Sequence, residues 1–157
     1  MGSPFQVADA EVAAIRQWVA DRRVMTVATT DGGTVWAAAV FYVNDGFRFF
    51  FISPDTARHS RNIDIHPQVA LTIQDEGADW ESIRGLQVSG VAELLLGEAA
   101  ESAARLYARK YPFISNPDSD ELKRAIAKAS WYGVSPTNVY FIDNTRGLGR
   151  RIELPAK

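Results

Sequence analysis

The chain has 157 residues, the length of one domain, with 46% hydrophobic and 23% charged residues, ordinary globular values. Its formal net charge of −2 gives no overall drive toward nucleic acid or an anionic membrane. The absence of cysteine excludes disulfide, thiolate-zinc and iron–sulfur chemistry and fits a reducing cytoplasm. No apolar run is long enough to span a bilayer and no secretory pattern opens the chain, so a cytoplasmic location is expected.

Asp9 is placed to cap a first helix, expected over residues 8–22, with Val12, Ile15, Trp18 and Val19 on one face. Val24 to Thr29 reads as a strand, and Asp31-Gly32-Gly33 as a turn. Thr34 to Val43 reads as one long second strand, apolar on both sides and expected to be buried on both, with Trp36 as a core residue. Asn44-Asp45-Gly46 signals a hairpin into a third strand, Phe47 to Ser53. A short helix then starts with Thr56 as its expected N-cap and stops at His66-Pro67, because a residue before proline avoids the helical region.

Val69 to Gln74 is the fourth strand, Asp75 to Arg84 an acidic solvated loop rather than a metal site, and Leu86 to Leu96 the fifth strand. Glu98 to Tyr111 is an alanine-rich helix, and Asp118 and Glu121 have capping-box spacing at the start of another, ending near Ala129. Asn138 to Asp143 is the sixth strand, and Asn144 to Lys157 a tail bearing glycine and arginine. No repeat or linker divides the chain. One domain is expected over 1–157, with a barrel and its inserted helices at 24–143 and a tail at 144–157. Tight turns make the first strands antiparallel neighbours, and the strands do not alternate with helices. A mainly-β fold follows: a six-stranded antiparallel barrel with flanking helices.

The segment Thr56 to Asn62 carries the most chemical information. Arg58, His59 and Arg61 stand in the first turns of a helix, where the macrodipole already places partial positive charge. An anion bound by free N–H groups, Arg58 and His59 resolves the conflict, and a nucleotide-like phosphate suits it. The alternative is a solvated face with Arg61 and Asp64 paired, worth about 0–1 kcal/mol. His59 and His66 have no third partner for zinc, and no Ser-His-Asp or Cys-His set can be assembled. No interleaved basic–aromatic stripe points to nucleic acid.

Several motifs together resemble the pyridoxamine 5′-phosphate oxidase-like FMN-binding split-barrel superfamily. They are Val24-Met25-Thr26-Val27-Ala28-Thr29, Phe50-Phe51-Ile52-Ser53, Arg58-His59-Ser60-Arg61-Asn62-Ile63, His66-Pro67-Gln68-Val69-Ala70 and Gly90-Val91-Ala92-Glu93. The resemblance runs from about Arg23 to Leu96. It implies a Greek-key split barrel and a homodimer with flavin mononucleotide (FMN) in the groove between subunits. Position by position, it implies that Arg58 and His59 hold the phosphate, and that Ile52 and Ser53 lie beside the phosphate and ribityl chain. Ala38, Ala39 and Val40 would lie along the flavin ring. By the same resemblance Gln87 would substitute for the family's glutamine, whose counted position is Gly85, Trp131 would reach the cofactor across the dimer, and Trp36 and Trp80 are further rings that could stack on a flavin.

Two departures qualify the resemblance. His59 replaces the usual lysine, so one phosphate partner becomes pH-dependent. Lys110-Tyr111-Pro112 and Ile152-Glu153-Leu154-Pro155 do not reproduce the true oxidase's recognition set. The expected function is an FMN-dependent oxidoreductase acting on a small molecule, distinct from pyridoxamine 5′-phosphate oxidation. No side chain is nameable as its catalytic acid or base. A non-catalytic flavin sensor and a haem- or deazaflavin (F420)-binding relative are the alternatives.

Overall fold

The computed structural model describes residues 7–156, in which one curled antiparallel sheet carries four α-helices. Helix α1 (Asp9–Ala20) precedes the hairpin of β1 (Val24–Thr30) and β2 (Val35–Phe41). Its turn is held by Asp31, whose Oδ1 accepts from the N–H groups of Gly33 and Thr34 at 2.9 and 2.7 Å. Gly32 adopts φ +96°, and a Cβ there would meet His66 Nε2 at 2.6 Å, so the position suits only glycine. A second hairpin joins β3 (Val43–Asp45) to β4 (Arg48–Pro54) around Gly46. Helix α2 (Arg58–Ile65), β5 (Gln68–Gln74), β6 (Arg84–Leu95), α3 (Gly97–Lys110), α4 (Asp120–Lys128), β7 (Ala129–Asp143) and β8 (Arg151–Leu154) complete the chain.

The strand order is β2-β1-β5-β6-β7-β4-β3, with β8 paired to the second half of β7. Strands β2 and β3 therefore lie at opposite ends of the sheet, yet only Tyr42 separates them in the chain. That connection forces the sheet to curl until its ends meet. Where they meet, β2 and β4 approach each other, but no ladder joins them among the described residues. The result is a half-barrel with an open seam, consistent with a split barrel.

The expectation of six strands is corrected to eight. The long second strand breaks at Tyr42, a fully buried corner whose hydroxyl donates to Val19 O and whose carbonyl accepts from the Tyr111 hydroxyl at 2.6 Å. Nor is that strand buried on both faces. Val35 is 80% exposed and Trp36 42%, so Trp36 is not a core residue in the single chain. The last long strand starts at Ala129 rather than Asn138. Pro136 argues against a strand by sequence, but a register shift at Ser89/Gly90 in β6 accommodates it. A Cβ on Gly90 would lie 2.6 Å from Ser135 O, so the two backbones approach closely there. The tail contributes β8. Ala8, Ala57 and Ser119 stand at the N-cap positions expected for Asp9, Thr56 and Asp118.

Two hydrophobic clusters follow from strand alternation. Phe49 and Phe51 of β4 face the main core with Met25, Val27, Leu71 and Phe141. Phe50 and Ile52 face the other way, into a cluster under α3 with Leu95, Tyr107 and Trp131.

Candidate anion-binding site at the start of helix α2

Helix α2 packs against β1 and β2 and reaches β4, so it spans the open seam. Its sequence explains its tethers. Arg58 and Asn62 are spaced i, i+4 and share one face. The Arg58 guanidinium lies over the Trp36 ring of β2, 4.6 Å from its centroid. Asn62 Nδ2 donates to Thr29 Oγ1 of β1 at 3.0 Å, with both residues buried. Thr29 and Trp36 are direct partners in the β1–β2 ladder, so both contacts fall on one cross-strand row. On the next face, His59 Nε2 lies 2.6 Å from Ser53 Oγ at the end of β4.

The helix start itself is uncapped. The ladder begins with Arg61 N–H donating to Ala57 O at 3.1 Å, and no side chain caps the N–H groups before it. The first turn contains no acidic residue. Among the described residues, no carboxylate forms an ion pair with Arg58. Asp31 lies within its field. That carboxyl is held below its ordinary value by the N–H groups of Thr34 and Gly33 first, and by Arg58 to a lesser degree. Burial pushes the half-buried His59 imidazole below its ordinary value. The helix start thus carries the positive end of a dipole, N–H groups without a side-chain cap and a guanidinium with no ion-pair partner among the described residues, features that suit a phosphate monoester.

The structure brings Ser53 and His59 together, places the guanidinium of the neighbouring Arg58 over Trp36, and spreads the other candidates. Ala38 and Val40 face inward against the core, while Ala39 faces out. Ile52 sits beside Trp131 under α3, where the Trp131 ring meets Tyr107 edge-on at 5.3 Å. Gln87 is exposed on the outer sheet face, in the row Ala39–Thr26–Thr72–Gln87. Three strand spacings put it roughly 14 Å from Ala39. Sequence reasoning missed the Asn62–Thr29 tether and the Trp36–Arg58 contact. The i, i+4 spacing of Arg58 and Asn62 was the available signal.

The acidic loop and the tail are tied to the body. Asp75 accepts two bonds from Arg22, both at 2.6 Å, and one from Trp18 Nε1 at 3.2 Å. Arg146 hydrogen-bonds Glu11 of α1, with Arg150 nearby. The middle of the outer face of β1, β2 and β5 instead carries small uncharged side chains, Thr26, Ala28, Ala37, Ala39, Ala70 and Thr72, flanked by the exposed Val24, Val35 and Phe41.

A curled antiparallel half-barrel with four helices and an open seam defines a class of split-barrel-like proteins. The chain belongs to the pyridoxamine 5′-phosphate oxidase family, whose model matches residues 12–143, a wider span than the motifs alone. A UPF0306 protein from Enterobacter sp. (strain 638) is 32% identical over 143 residues, covering 90% of this chain and 94% of that one. A heme binding protein from Mycobacterium smegmatis superposes with TM-score 0.73 at 22% identity, covering 96% of this chain and 59% of that one. A FAD-binding protein from Mesorhizobium loti gives TM-score 0.61 at 14% identity, covering 85% and 92%. At such identities the two structures bear on the fold alone. No helix among the described residues is long and apolar enough to cross a membrane.

Proposed function

We propose that the protein binds FMN as a homodimer and serves as an oxidoreductase for a small molecule in the cytoplasm. One observation carries the reading: the uncapped start of α2, with Arg58 unpaired by any carboxylate among the described residues and His59 beside it. Arg58 and the first N–H groups hold the phosphate. Ser53 orients the His59 ring, and the imidazole gains its proton when the dianion arrives. The outer face of β1 and β2, lined by Ala28, Ala37 and Ala39, accepts a second copy, because small uncharged side chains allow close approach. When bound, the flavin supplies the electron transfer, while the chain binds and orients it and excludes water.

The test is an absorption spectrum of the purified protein with and without added FMN. Flavin bands that shift on mixing, and a fluorescence titration that saturates, support the reading. Protein that stays colourless with FMN overturns it. Haem is the second reading, favoured by the similarity to the mycobacterial heme binding protein. A Soret band in place of flavin bands selects it, and the deazaflavin F420 has its own spectrum. Light scattering checks the dimer: Ala39→Arg is expected to yield monomers. Turnover with nicotinamide donors separates an enzyme from a flavin sensor.

A further inference from the structure

We infer that Trp36 is a positioning residue for the phosphate anchor: it holds Arg58 at the mouth of α2 and so makes the site prefer a phosphate-bearing flavin to its dephosphorylated form. This rests on the flavin reading above.

Three observations carry the inference. An arginine side chain exposed at a helix start has many rotamers, and ordering it opposes binding. Here the guanidinium is placed over the Trp36 ring at 4.6 Å, and the residue is half-buried. A cation–π contact uses the charge of the guanidinium and not its N–H donors, which remain available to a ligand. Second, Trp36 is itself fixed. It pairs with Thr29, which is bonded through Asn62 to the same helix that carries Arg58. Ring and guanidinium are thus attached to one closed unit of strand, side-chain bond and helix. Third, Trp36 is large, apolar and 42% exposed on an edge strand, a placement that core packing does not explain. The contact with Arg58 does.

The contact also predicts which ligands feel it. An indole face helps only through the cation it holds, so its loss should be felt by FMN and not by riboflavin. FMN and riboflavin are titrated into the full chain by flavin fluorescence, for wild type, W36F, W36L, R58A and the R58A/W36L double variant. W36L is expected to weaken FMN about three- to thirty-fold, the range of a partly desolvated cation–π contact, and to leave riboflavin within about two-fold. W36F, which keeps an aromatic face, should restore most of the FMN affinity. In the R58A background the W36L step should vanish. Equal losses for both flavins, or an undiminished W36L loss without Arg58, overturns the inference.

A ligand-free measurement separates this from failure of the flavin reading. The Arg58 Nε–Hε resonance, identified by its disappearance in R58A, should shift in W36L as the ring current is removed. Inorganic pyrophosphate should move it less in W36L than in wild type. A chain that binds neither flavin sinks the flavin reading. A resonance that W36L leaves in place sinks the positioning role of Trp36, whatever the cofactor.

Discussion

Two helices meet the sheet through aromatic and cationic side chains, and they do so in opposite ways. At the end of α3 the Lys110 ammonium and the Tyr111 hydroxyl are tied to backbone carbonyls. Lys110 bonds to Arg22 O and lies over the Tyr42 ring at 4.5 Å, and burial pushes its pKa down to about 8. Tyr111 donates to both Tyr42 O and Arg23 O. Trp131 packs edge-on against Tyr107 in the same cluster. At the start of α2 the aromatic ring holds a guanidinium whose donors meet no carboxylate among the described residues, above an uncapped helix end. A group whose hydrogen bonds are complete serves the fold. A group held in place with its donors open serves a ligand. Composition alone does not separate the two regions; what the cation meets does, a backbone carbonyl for Lys110 and no carboxylate among the described residues for Arg58.

The sharpest break in this comparison is Trp131→Ala. Removing a half-buried indole from the α3 cluster should lower unfolding stability by about 2–3 kcal/mol, somewhat less than a fully buried aromatic loses. FMN affinity should change by less than about two-fold once the protein is folded. Urea unfolding and flavin titration measure the two effects. A large affinity loss with little loss of stability would return Trp131 to the cofactor and erase the contrast.

Arg58→Ala is the converse. It should leave the melting temperature near wild type, since the guanidinium closes no ion pair among the described residues. It should weaken FMN by about 1.5–3 kcal/mol, roughly ten- to more than a hundredfold, the range of hydrogen bonds to charged groups. Isothermal titration with FMN and with riboflavin decides it, because only the phosphate-bearing ligand should suffer.

Asn62→Ala tests the frame that joins the two roles. It leaves the buried Thr29 hydroxyl without its 3.0 Å donor and should cost about 1–2 kcal/mol of stability. Adding Thr29→Val should recover part of that loss, since removing both partners is cheaper than orphaning one. If the double variant is no better than the single, the tether is not what seats α2.

The sequence carried more of this than its periodicities suggest. The first hairpin, the short helix and its stop at His66-Pro67 were legible because glycine, proline and charge punctuate them. The second half of the sheet was not. Residues 129–134 pair with β4 and, from 131 on, with β6 as well, and the strand runs on through Pro136 beside a register shift in β6, long-range pairings invisible in a local window. Trp36 was misplaced for a related reason. An apolar run reads as doubly buried, yet β2 ends a sheet that curls through Tyr42, and an edge strand has no neighbour to cover it. Arg58 and His59 were legible as chemistry, since cations at the positive end of a helix contradict the dipole. Their partners Trp36 and Ser53 come from strands distant in sequence, and only the curl that brings β2 near β4 places them.

The smallest expected effect, and the finest test of the contrast, is the pH dependence of His59. In the free protein burial favours the neutral imidazole, so its pKa lies below the ordinary 6.5. The unfolded chain then binds more protons between that lowered value and 6.5. The contribution to stability is complete above 6.5 and is lost as pH falls through the window. A bound phosphate reverses the balance: its charge favours imidazolium, raises the pKa in the complex, and makes affinity decline as pH rises through it. The phosphate titrates nearby, with a second pKa of about 6, so raw affinities mix two ionisations. His59→Lys shares the phosphate's titration but not the imidazole's. The ratio of wild-type to His59→Lys affinity for FMN should therefore fall about two- to fivefold between pH ~6 and ~8, with the imidazole as its cause. A flat ratio would mean that His59 stays neutral on Ser53 even with the phosphate bound. It would then belong with Tyr111 and Trp131, to the part of the molecule that holds the fold.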